Sequence, residues 1–139
     1  MFLTEKELRE VFWENYNYSN RAIRYQFECA IREGGTDLVT IEQFQGNYQI
    51  NAFEFKLSDI KKVVLQAEAN QEYVHKSWIV VPSEKEELIK YKYLSYIRGK
   101  QLGVITVEDG GRWKVLQLPG YREDIKLNKA LVNLMMKGY

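Results

Sequence analysis

The sequence has one cysteine, one histidine, almost no net charge and no long apolar run, and each shortage closes off a class of protein. With Cys29 alone there is no internal disulfide, and with His75 as the sole histidine there is no Cys/His set for a structural zinc. A reducing, cytoplasmic setting is the expectation. The formal net charge of +1 argues against a protein held to nucleic acid by bulk charge, so any such contact must be local. The Met-Phe-Leu-Thr-Glu-Lys opening lacks the apolar stretch of a signal peptide, and no run approaches the length that spans a bilayer, so no membrane partner is expected. What is present suits one ordinary core: 139 residues, 45% of them hydrophobic, read as a single domain over 1–139.

Local signals divide the chain into alternating helices and strands. Thr4 followed by Glu7 has capping-box spacing, and Leu8, Val11 and Phe12 recur at helical intervals. The polar run 15–20 interrupts that helix. A second helix is expected over about 19–33, with Ile23, Phe27, Ala30 and Ile31 on one side and Gly34-Gly35 as its stop. Segments 36–45 and 49–57 are rich in β-branched and aromatic residues and flank Gly46-Asn47, which predicts a hairpin. Ser58-Asp59 caps a helix through about Gln71, and a short buried strand follows at 78–81. Ser83 and Glu86 form another capping box for a helix reaching about Arg98. Strands at 104–107 and 113–118 bracket Asp109-Gly110-Gly111, and a last amphipathic helix is expected over 124–136. The order α, ββ, α, β, α, ββ, α predicts an α/β fold, a three-layer α/β/α sandwich with a central mixed β-sheet.

The first hairpin assembles three charged residues. A two-residue Gly46-Asn47 turn pairs Gln45 with Tyr48, and counting back from there sets Asp37 opposite Lys56. Glu54, two positions before Lys56, shares that face as a diagonal neighbour of Asp37. Opposed Cβ atoms lie roughly 5 Å apart and diagonal ones roughly 7 to 8 Å, so two carboxylates could share one cation. A three-residue loop would break the arrangement. Two carboxylates suit a hard cation such as Mg²⁺, which completes its shell with water and substrate phosphate, and a neighbouring lysine can offset charge on an attacked phosphate. The plainer account is a cross-strand salt bridge between Asp37 and Lys56, with Glu54 merely solvated.

The run Gly-Gly-Thr-Asp37-Leu-Val, then Asn-Ala-Phe-Glu54-Phe-Lys56-Leu-Ser-Asp, then a helix carrying Gln66, resembles the core of the PD-(D/E)XK nuclease superfamily. The resemblance is strongest over 28–82 and implies a restriction-endonuclease-like fold. It further implies Mg²⁺ or Mn²⁺ held by Asp37 and Glu54, Lys56 as the third catalytic residue, and hydrolysis of nucleic-acid phosphodiesters, DNA favoured over RNA. Thr36 stands where the superfamily's name has proline. Glu28, read as lying on the preceding helix, and Gln66 are secondary candidates, each with an ordinary solvated position as the alternative.

Other residues carry weaker expectations. Arg21 and Arg24, three apart on one expected helix, and Lys61 and Lys62, opening another, could contact phosphates, or simply line solvated faces. Tyr91, Tyr93 and Tyr96 could stack on bases but are expected to pack in the core or an interface. His75 is expected at the surface and Cys29 in the core. The leading reading is a metal-dependent nuclease. Its alternatives are a catalytically inactive nuclease-fold module for nucleic-acid binding or subunit interaction, and an unrelated α/β protein. Cutting both strands of a duplex would call for a homodimer.

Overall fold

The structure, a computed structural model, describes residues 1–137. Its centre is a six-stranded sheet in the order β1-β2-β3-β4-β5-β6, built from Ala22–Cys29, Thr36–Phe44, Asn47–Phe55, Lys76–Pro82, Gly103–Val107 and Trp113–Gln117. The first three strands run antiparallel, β3, β4 and β5 are mutually parallel, and β6 returns antiparallel to β5. A parallel step needs a crossover, and helices supply both. Helix α2, Ile60–Asn70, joins β3 to β4. The segment from β4 to β5 holds α3, Glu86–Leu88, and α4, Leu94–Gly99, joined through a π-helical stretch at Ile89–Tyr93.

Alternation along the strands sorts the core into two faces. Helix α1, Glu5–Tyr16, buries Leu8, Phe12 and Tyr16 against Leu38, Phe53, Phe55, Trp78, Val80, Ile105 and Val107. On the other face, α2 and α4 cover Ile79, Val81 and Val104, while Leu131 and Leu134 of α5, Lys129–Lys137, cover Val39, Ile41, Ile50 and Ala52. The result is a mixed α/β fold with helices on both faces of one mixed sheet. Among the described residues, no helix is long and apolar enough to cross a membrane.

Several predicted elements are present with shifted ends. The Thr4 hydroxyl caps α1 by accepting from the Glu7 N–H, and the Asp59 carboxylate caps α2 by accepting from the Lys62 N–H. Ser83 caps nothing: a 3₁₀ turn at Ser83–Lys85 opens the next helical segment without a side-chain cap. Helix α5 begins at Lys129, five residues later than the sequence signals suggest.

The helix expected over 19–33 is the principal correction, because most of that segment is strand β1. Ile23, Tyr25 and Phe27 alternate with Arg24, Gln26 and Glu28, a period of two that outweighs the helical spacing of Ile23 and Phe27. Tyr25 and Phe27 pack against Trp13 of α1, an aromatic contact that an isolated helix would not make. Glu28, Arg21 and Arg24 therefore do not lie on a helix: Glu28 and Arg24 belong to β1, and Arg21 directly precedes it.

The first hairpin turns one step earlier than expected. Phe44 pairs with Asn47 around Gln45-Gly46, with φ of 51° and 82° at the two central residues, the left-handed pair that a type I′ turn requires. Moving the turn by one residue shifts the register by two, so each side chain keeps its face while its partner changes.

Candidate acidic site at the end of the hairpin

The new register makes the acidic pair more direct. Leu38 pairs with Phe53, so the next residues outward, Asp37 and Glu54, stand opposite one another, and Asp37 does not face Lys56. The β1–β2 pairing runs from Phe27↔Leu38 to Cys29↔Thr36, which sets Glu28 beside Asp37. Glu28, Asp37 and Glu54 thus form one row across three neighbouring strands, whose backbones lie roughly 5 Å apart.

The row is graded in exposure. The Glu54 side chain is 1% exposed and the Glu28 side chain 70%. Glu28 has a φ of 52°, which breaks the strand locally, and its carboxylate pairs with Arg9 of α1 at 2.8 Å. Asp37 lies between them, and its Oδ2 accepts the Phe55 N–H at 2.9 Å. That bond runs across the β2–β3 pair and ties the carboxylate to the backbone of the strand carrying Glu54.

Glu54 is held from the opposite side by residues that the sequence reading missed. Its Oε2 accepts from the Asn70 side-chain amide at 2.8 Å and from the Arg32 guanidinium at 3.0 Å. Asn70 Oδ1 in turn accepts from Arg32 Nε at 2.6 Å and from the Thr36 hydroxyl at 2.7 Å. Asn70, fully buried, is therefore the hub of a closed network that fixes Glu54. A signal for it existed: Ile60, Val63, Ala67 and Asn70 fall on one helical stripe, and a polar residue ending an apolar stripe must find buried partners. Arg32, in the connection from β1 to β2, carried no comparable signal.

Burial, and after it the nearby Asp37 charge, raise the Glu54 carboxyl to about 7 against the opposing pull of the Asn70 and Arg32 donors. The ordering is physical: removing a carboxylate from water costs more here than two hydrogen bonds return. A buried carboxylate beside a second, partly buried one is costly to keep, and such groups cluster at functional sites.

Lys56 sits just beyond β3 with its side chain 14% exposed and its ammonium 3.5 Å from Glu5 Oε2. Glu5 lines a cavity of about 250 Å³ together with Lys6, Arg9, Glu28, Asp37 and Phe55. The lysine therefore meets the acidic row through the first turn of α1, not through a bridge to Asp37. Gln66 lies four residues, about one helical turn, before Asn70, and its Oε1 is buried with no hydrogen-bond partner among the described residues. It is not the solvated position that was its alternative.

The phosphate-contact candidates divide. Lys61 and Lys62 are exposed on the first turn of α2, directly after the strand that carries Glu54. Arg24 is four residues from Glu28 along β1, roughly 13 Å away. Arg21 lies farther still, over the Tyr16 and Trp113 rings. Of the tyrosines, Tyr93 packs partly against the α2 cluster, but Tyr91 is 93% exposed and does not pack in the core. Cys29 is buried, as expected. His75 is half-buried: its Nδ1 accepts the Ile50 N–H, its ring stacks on Tyr121, and burial lowers its pKa.

Two opposed carboxylates offer oxygen donors, the kind that hard divalent cations take. The hydrogen bonds engage Oδ2 of Asp37 and Oε2 of Glu54, so each carboxylate keeps a second oxygen to offer. Among the described residues, no three His, Cys, Asp or Glu side chains form a ready ligand group. A cation held here would draw on Asp37, Glu54 and water.

No family model matches the sequence, and no curated protein matches it. Among solved structures, a protein of unknown function from Silicibacter pomeroyi is similar with a TM-score of 0.64 and 12% identity, covering 100% of this chain and 86% of its own. At that identity the likeness is one of fold alone.

Proposed function

We propose that this chain is a metal-dependent nuclease with a restriction-endonuclease-like fold, hydrolysing phosphodiester bonds of nucleic acid, DNA rather than RNA. The observation that carries the reading is the opposition of Asp37 and Glu54 across β2 and β3, close enough for one charge to raise the other's pKa. A cation between two such carboxylates relieves their repulsion, which fits Mg²⁺ or Mn²⁺ with Asp37 and Glu54 as ligands. When bound, the ion would activate water and draw negative charge from the attacked phosphate.

The chain's own residues divide the remaining work. Lys56, two residues after Glu54, offsets the charge that builds on the phosphate as water adds, once its ammonium leaves the half-exposed Glu5. Asn70 and Arg32 hold the Glu54 carboxylate in a single orientation, so no reorganisation is needed when substrate arrives. Lys61 and Lys62 offer contacts to the backbone flanking the cut, and Arg21 and Arg24 are set aside because they point to other surroundings. Cutting both strands of a duplex would use two copies.

The test is a panel of single-stranded, duplex, flap and four-way DNA and RNA substrates incubated with the purified protein. Cleavage with Mg²⁺ or Mn²⁺, and none with EDTA, is expected. Cation-independent binding without cleavage of any substrate would instead favour the second reading, an inactive module of the same fold.

A further inference from the structure

A second feature lies on the same side of the sheet but away from the acidic row. Arg24 of β1 pairs in register with Ile41 of β2, and Ile41 with Ile50 of β3, so the three make one row across the strands. The row ends at His75, whose Nδ1 accepts the Ile50 N–H at 2.9 Å. All four line an open cleft of about 550 Å³, rimmed by apolar side chains that include the part-exposed Leu127 and Met135. That volume falls within the range of small-molecule sites, which are mostly apolar with a few convergent polar groups.

The polar groups define what would fit. Arg24 is half-buried on β1, and among the described residues its guanidinium meets no carboxylate, carbonyl or aromatic ring, although five N–H donors on a permanently charged group normally find some. It stands at one end of an aliphatic floor that is three strands wide, roughly 10 Å. At the other end His75 accepts through Nδ1, which leaves its proton on Nε2 as a donor. A cation without a counter-ion beside apolar walls is complementary to a negative head on an apolar body.

We propose that this cavity binds a small amphipathic monoanion, an alkyl or aryl carboxylate whose head pairs with Arg24 and whose body, roughly 10 Å long, lies along Ile41 and Ile50. The site is independent of the acidic row and of the nuclease reading. It also gives Arg24 a role that its sequence position did not suggest, since the residue is strand-borne and faces an apolar floor in place of a phosphate track.

The experiment titrates the whole chain with octanoate, and in parallel with octan-1-ol and octylammonium, following the methyl resonances of Ile41, Ile50, Leu127 and Met135 by NMR. Saturable one-to-one shifts are expected, with octanoate binding at least tenfold more tightly than the alcohol. Arg24→Gln should abolish that preference while leaving alcohol binding unchanged, and Arg24→Lys should keep part of it. Spectra elsewhere in the protein report whether each variant is folded. Equal binding of the three probes, an unchanged preference in Arg24→Gln, or shifts scattered outside the cavity would overturn the proposal. So would sedimentation as a dimer whose contact buries these methyls and resists octanoate, which would make a second copy the occupant.

Discussion

Replacing Asn70 by alanine removes the hub on which the buried acid depends. The side chain donates to Glu54 Oε2 at 2.8 Å and accepts from Arg32 at 2.6 Å and from Thr36 at 2.7 Å. Two of these three bonds involve charged groups, worth about 1.5 to 3 kcal/mol each, and the third about 1 kcal/mol. Arg32 still reaches Glu54 in the variant, so the loss falls below the simple total, at about 3 to 5 kcal/mol. That is a large share of the stability of an ordinary domain. Urea unfolding at pH 7.5, followed by tryptophan fluorescence, measures it. The same substitution in a Glu54→Gln background should cost at least about 1 kcal/mol less, because the group left behind is a neutral amide and not a carboxylate. A loss under about 1 kcal/mol, or an equal loss in both backgrounds, would show that the network does not hold Glu54 as described.

Two other outcomes test the site and the hairpin. With its folded pKa at about 7 against an ordinary 4.5, Glu54 binds its proton more tightly when folded, so its neutral form stabilises the protein below about pH 4.5. That contribution is lost as pH rises through 7, and at about 1.4 kcal/mol per unit the decline is about 3 kcal/mol. Unfolding midpoints from pH 4.5 to 8.5 should show this slope in the parent protein and not in Glu54→Gln, and a parent stability that rises over this window would contradict it. Gly46, at φ 82° with open space around its α-carbon, should accept valine sterically but not conformationally. Gly46→Val is expected to cost about 1 to 2 kcal/mol in thermal or urea unfolding, and no loss would mean the type I′ turn is wrong.

Much of this arrangement was legible in the residues, and the exceptions have physical causes. The β2–β3 hairpin could be read because both strands are dense in β-branched and aromatic side chains around a glycine turn. Its exact turn could not, since Gln45-Gly46 and Gly46-Asn47 both offer a residue that tolerates positive φ. Asp37 and Glu54 kept a common face because the error moved the register by an even number, whereas Lys56, just beyond β3, turns to Glu5 of α1. Strand β1 was missed for a different reason: Ile23 and Phe27 satisfy a helical spacing and a strand alternation at once, and pairing with β2 together with packing on Trp13 decided between them. The late start of α5 reflects which cap forms: the Asn128 side chain accepts the Leu131 N–H, although Asp124 offered a comparable cap four residues earlier. Arg32 and Asn70 meet Glu54 across 22 and 16 residues of sequence, a proximity that only the folded chain creates.

The central claim is that Lys56 serves the chemistry beside Asp37 and Glu54, and not only a salt bridge to α1. Its most direct test is single-turnover cleavage by Lys56→Ala, with Mg²⁺, of whichever substrate the parent protein cuts, alongside circular dichroism of the same sample. Loss of cleavage by a hundredfold or more in a protein that remains folded and still binds the substrate is the expected result. Cleavage at the parent rate by the folded variant would contradict it.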